Sequence, residues 1–204
     1  MSSSTKPSKA DVVTDFRRTQ LLDAARESFA KNGVAGSTVD DIARRAGVAK
    51  GTVYLYYKSK EEILRQLLNE DLAELRNETV PIVTGPGTIE QRLERFFVAA
   101  LTFFDTKRDF FEHVHFDMCT DVRHKAQQKL EVVFRAQVDS WRDALADARR
   151  QGVVGTLDES VGALMIVGLA GGLAKQRLRG WAAHPVEQIA AETSAVLWKG
   201  LAAR

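Results

Sequence analysis

At 204 residues, with 45% hydrophobic and 27% charged side chains, the chain has the balance of a globular protein of one ordinary domain or two small ones, and disorder is not the default. Its net charge of +2 is too small to name a partner, yet it is unevenly placed: residues 1–68 hold 12 Lys and Arg against 8 Asp and Glu, and residues 69–204 hold 17 against 19. A positive N-terminal part on a near-neutral remainder suits a phosphate-binding head. The single cysteine, Cys119, excludes an intrachain disulfide, and the Ser/Lys-rich start has no apolar core of a signal peptide. The uncharged apolar run 161–174 is shorter than the roughly 20 residues that cross a bilayer. A cytoplasmic protein with no membrane span is expected.

Only four prolines occur and no period-2 alternation is sustained, so the chain is expected to be all-α, with about nine helices. Residues 1–15 read as a flexible leader. Helix one spans 16–31, with Leu22, Ala25 and Phe29 on one face and Gly33 as its stop. Ser37 and Thr38, followed by Asp40 and Asp41, open helix two, which ends at Gly47; helix three is short, 50–56. Ser59 with Glu62 fits a capping box for helix four, expected to reach Thr79 and break at Pro81 before the turn Gly85-Pro86-Gly87, the strongest boundary signal in the chain. Thr88 with Gln91 caps helix five, and Lys107-Arg108-Asp109 breaks the chain before helix six. Helix seven runs over 121–150, Thr156 to Glu159 caps helix eight, and Pro185 sits in the first turn of helix nine.

Within residues 38–57 the spacing is that of a helix-turn-helix. Two helices that cross steeply need a small residue where they touch, Ala43, and a glycine at the tight turn, Gly47, while Ile42, Val48 and Val53 form the shared core. The second helix would then present its N-terminal residues to base edges. Lys50 can reach a guanine edge, Thr52 a thymine methyl, and Gly51 lets backbone approach DNA closely.

The longer run Gly47-Val-Ala-Lys-Gly-Thr-Val-Tyr-Leu-Tyr-Tyr-Lys-Ser-Lys-Glu-Glu-Ile-Leu64, with Thr38-Val-Asp-Asp-Ile-Ala43 upstream, closely resembles the signature of the tetracycline-repressor (TetR) family. By motif the resemblance covers about residues 16–68. It implies a three-helix DNA-binding head over 16–68 and a helical body over 69–204 for dimerisation and ligand binding. It further implies DNA contacts at Lys50, Gly51, Thr52, Tyr54 and Tyr56, and phosphate contacts at Thr38, Tyr57, Lys58 and Lys60. Tyr57 stands where Phe is most common in the family and Tyr56 where His is frequent, which leaves base preference open.

Eight of the ten phenylalanines lie between Phe96 and Phe134. Phe96, Phe97, Phe103, Phe104, Phe111, His115, Phe116, Phe134, Trp141 and Met165 are candidates to line an apolar ligand cavity, although the same residues would equally serve as core. Glu112, His113, His115, Asp117, Cys119 and His124 offer metal ligands, but only His115 and Cys119 share a helical face, two ligands where about four are usual, so neither metal nor cofactor is expected. Helix eight is apolar all round and rich in small residues, so it should be buried and, with helix nine, pair with a second copy. No nucleophile with its base, carboxylate pair or nucleotide loop is present, which argues against an enzyme. The expectation is a ligand-responsive repressor that leaves a palindromic operator when an apolar or aromatic effector shifts helix four. The alternative is a small-molecule-binding or protein-interaction module whose head no longer reads DNA.

Overall fold

The computed structural model describes residues 9–117 and 120–203, with side chains at all of them except 9, 10, 113–117, 120–127 and 129. Among these residues the chain forms nine helices: α1 (Lys9–Gly36), α2 (Val39–Arg45), α3 (Lys50–Tyr56), α4 (Lys60–Thr84), α5 (Ile89–Thr106), α6 (Arg108–Asp117), α7 (Thr120–Arg150), α8 (Glu159–Leu178) and α9 (Val186–Leu201). The all-α expectation holds.

Several ends follow from local chemistry. Thr38 caps α2 and Thr88 caps α5 with reciprocal capping boxes to Asp41 and Gln91. At α4 the box is modified: the Ser59 hydroxyl accepts from the Glu62 N–H at 3.2 Å, but the Glu62 carboxylate reaches past Ser59 to accept from the Lys58 N–H at 2.6 Å. Three other ends differ from the sequence reading. α1 already starts at Lys9, inside the expected leader, and turns at Gly33 (φ 71°, ψ 168°) before a further turn. α4 runs through Pro81 to Thr84, because a proline in the last turn forfeits a single backbone bond there and the buried Val83 secures that turn. Asp158, not Thr156, caps α8, accepting from the Ser160 and Val161 N–H groups at 3.0 Å each.

Two cores result. The first gathers Leu21, Ala25 and Phe29 of α1, Ile42 and Ala43 of α2, Val53 of α3 and Leu64, Leu68 and Leu72 of α4, and continues into Phe103, Phe110 and Phe111 at the α5–α6 corner. The second lies among α5, α7, α8 and α9, around Phe96, Phe97, Trp141, Ile166 and Leu197. At the far end Val154 bridges Ala202, and the Gly155 N–H donates to Leu201 O at 2.8 Å, closing α9 against the α7–α8 turn.

Only one face of α8 is packed, contrary to the expectation of full burial. Ala163, Ile166, Val167 and Ala170 are buried, whereas Val161, Leu164, Met165 and Leu169 are exposed. A Cβ at Gly168, Gly171 or Gly172 would meet nothing within 4 Å, while one at Gly162 would lie 3.0 Å from Leu145 Cδ1. On length and composition alone α8 could cross a membrane, a test that the core helix of a globular fold also passes. It packs against α5 and α7.

Candidate nucleic-acid interface

The helix-turn-helix stands as its spacing suggests. Ile42 and Val53 are fully buried, Ala43 nearly so, and the Val48 N–H donates to Ala43 O at 3.0 Å across the turn. Gly47 sits at φ 65°, in the left-handed region that β-branched residues strongly avoid. Gly47→Val is therefore expected to destabilise the protein by about 1–2 kcal/mol in urea titrations, and Gly47→Asn by less, because Asn tolerates this region. The space around it is open, so backbone strain alone sets the difference.

Behind the turn, Ser37 locks α1 to α2. Buried, its hydroxyl sits 2.8 Å from Gly33 O and 3.0 Å from Ser28 O, and accepts from the Ser28 hydroxyl. The Thr38 hydroxyl donates to Asp41 Oδ2 at 2.6 Å, which, with the Thr38 N–H and Arg44, holds the Asp41 carboxyl below its ordinary pKa. A lowered carboxyl stabilises the fold above its ordinary pKa and loses that contribution only as pH falls through the lowered value. The start of α2 is therefore insensitive to pH in the neutral range.

The residues implied as DNA contacts divide into two groups. Lys50, Gly51 and Tyr54 are exposed on α3, Thr52 and Tyr56 are half-buried, and Thr38 and Lys58 are exposed at the starts of α2 and α4. Two others face the protein. Tyr57 is 6% exposed within the first core, and burial pushes its hydroxyl pKa up. Lys60 folds back so that its ammonium donates to Val34 O at 2.6 Å and Ser37 O at 2.8 Å, capping the end of α1. Lys60 reaches phosphate only by giving up these carbonyls.

Two residues that the sequence reading passed over belong to this face. Leu55 is 82% exposed, and at about 100° per residue it lies nearly opposite the buried Val53, a signal the helical period contained. An apolar side chain there suits a thymine methyl. Asp40 places its carboxylate 2.8 Å from the Lys50 ammonium, and this hydrogen bond and charge raise the lysine pKa.

The proposed body pocket is divided between the two cores. Phe96 packs edge-on against Phe97 (5.9 Å between centroids) and Trp141 (5.5 Å), with Phe134 beside them, in the second core. Phe103, Phe104 and Phe111 form a separate aromatic group at the α5–α6 corner, in the first core. Met165 belongs to neither: it is 48% exposed on the outer face of α8, because its helical position falls between the buried rows. The side chains of His115 and Phe116, like those of the metal candidates His113, Asp117, Cys119 and His124, lie outside those the structure describes. The Trp141 indole N–H is buried without a hydrogen-bond partner among the described residues.

Residues 21–67 match the family model described as bacterial regulatory proteins, tetR family. Over this stretch the chain is similar to the tetR family. Over 74 residues it is 40% identical to the fatty acid metabolism regulator protein of Bacillus subtilis (strain 168), a stretch covering 36% of this chain and 38% of that one. The matched part is thus well under half the length of that curated relative. Two solved structures share the fold over nearly their whole length. One is described as a TetR-family transcriptional regulator from Mesorhizobium loti (TM-score 0.76, 14% identity, 93% of this chain and 98% of that one). The other is the transcriptional regulator FadR from Bacillus subtilis in complex with stearoyl-CoA (TM-score 0.70, 23% identity, 89% and 98%).

Proposed function

We propose that the protein is a ligand-responsive transcriptional repressor that binds a palindromic operator as a homodimer and works in the cytoplasm. The observation that carries this reading is the outer face of α3, where Lys50, Gly51, Tyr54 and Leu55 point to solvent from a helix anchored by fully buried Val53. Such a face fits a major groove, with the exposed Thr38 and Lys58 flanking it for phosphates. In this reading residues 16–68 form the head and 69–204 the body.

The second copy would cover the exposed stripe of α8, with Val196 of α9, which is 71% exposed. The open glycines at 168, 171 and 172 favour close approach of a partner helix. An apolar patch of this kind on a chain otherwise well packed calls for a partner surface. The effector would be apolar and bind in the body. Supporting this are the aromatic second core, with its unpartnered Trp141 N–H as a polar handle, and the stearoyl-CoA held by the Bacillus subtilis regulator of like fold.

The test is fluorescence anisotropy on duplexes selected from random DNA, with sedimentation on the same samples. Tyr54→Ala is expected to remain a dimer and to lose about tenfold or more in operator affinity, the scale of one lost base contact. Leu169→Glu is expected to sediment as a monomer and to lose operator binding with it. Wild-type protein that enriches no sequence, or whose binding ignores Tyr54, overturns the proposal.

A further inference from the structure

The first turn of α2 carries two carboxylates with different employment. Asp41 is spent inside the head, on the Thr38 cap and on Arg44. Asp40 instead turns outward and pairs with Lys50, the first residue of α3, ten positions on. The pair spans the helix-turn-helix on the face proposed to meet DNA. Both partners are open to water, with 64% of the Asp40 and 51% of the Lys50 side chain exposed. Tyr54 lies one turn further along α3.

An exposed ion pair of this type contributes little to folding. Its effect falls on binding. Lys50 is the residue best placed for a guanine edge, and while paired it is held toward α2 rather than into the groove. On arbitrary DNA only phosphates compete for the ammonium. Leaving Asp40 for a phosphate exchanges one anion for another and strands a carboxylate in the field of a polyanion. On a cognate site the guanine O6 and N7 add directed acceptors that phosphate does not supply.

Building on the DNA-reading function above, we infer that Asp40 is a specificity-determining residue: it latches Lys50 in an ion pair that a correctly placed guanine replaces and non-cognate DNA does not. Asp40 thus weakens binding to DNA at large more than binding to the operator. Specificity is a difference of affinities, and a repulsive element against the wrong partner widens it.

The experiment uses the full chain with the selected operator and a scrambled duplex of equal length, read by anisotropy across a salt series. It compares wild type, Asp40→Asn, Lys50→Met and the double variant, with thermal melting to establish that all are folded. Asp40→Asn is expected to tighten scrambled-duplex binding by about five- to tenfold and to steepen its salt dependence by about one phosphate equivalent. Operator binding changes by less than about threefold, so the ratio of the two affinities falls. In the Lys50→Met background the same substitution leaves that ratio unchanged. Equal tightening on both duplexes, or a drop in the ratio that persists without Lys50, overturns the latch and leaves simple repulsion. A wild-type chain that selects no duplex overturns the DNA-reading function, and the latch with it, a result distinct from the other two.

Discussion

Replacing Arg26 and Lys107 together by methionine is expected to destabilise the protein by about 3–5 kcal/mol in urea denaturation, the cost of leaving one buried charge uncompensated. The charge is Asp71 on α4, whose side chain is fully buried. Its Oδ2 accepts from Arg26 Nη1 of α1 at 2.7 Å, and its Oδ1 from the Lys107 ammonium at the end of α5, at 2.8 Å. Lys107 also pairs with Glu74, and each cation lies over a phenylalanine ring, Arg26 on Phe110 and Lys107 on Phe103. Either single replacement leaves one partner in place and is expected to cost about 1.5–3 kcal/mol. Adding Asp71→Leu to the double variant should recover most of the loss, since no charge is then stranded. A triple variant as unstable as the double would show that packing, and not the orphaned carboxylate, sets the cost.

The second large effect is expected at Trp141. It is fully buried, with its ring edge-on to Phe96 at 88°. Trp141→Ala opens a cavity at the centre of the second core and should cost about 3–5 kcal/mol. Trp141→Phe removes an indole N–H that has no acceptor among the described residues while keeping most of the apolar contact. It should cost less than about 1.5 kcal/mol, because removing an unpaired buried donor offsets part of the lost volume. Equal losses in the two variants would refute this account of the site. Calorimetric or denaturant midpoints of the two variants decide it.

What could be read from the sequence was mostly local. The caps at Thr38 and Thr88, the glycine at the helix-turn-helix and the buried Val53 each depend on residues within one or two turns, and each was legible. Long-range pairings were not. Asp71 meets Arg26 across 45 positions and Lys107 across 36, so nothing near it in the chain announces its burial. The phenylalanine cluster misled for a related reason. Nearness in sequence placed Phe96 and Phe103 in one pocket, but they fill different cores. Met165 was taken as inward-facing because α8 is apolar on every side, so composition there does not distinguish the packed face from the open one. Tyr57 and Lys60 show what position by position reading leaves out: one ring is buried here, and one ammonium is bound to backbone carbonyls.

The 25 residues of α4 make a rod about 37 Å long at about 1.5 Å per residue. Asp71 grips this rod near its middle, about 16 Å from the head end. The rod is a lever with a charged fulcrum. A tilt of about 10° at Asp71 would swing the start of α4 by about 3 Å, and in the proposed dimer the same tilt in both copies would change the spacing of the two DNA-reading faces by roughly twice that. A small change of packing among the body helices thus gains mechanical advantage through the position of one aspartate.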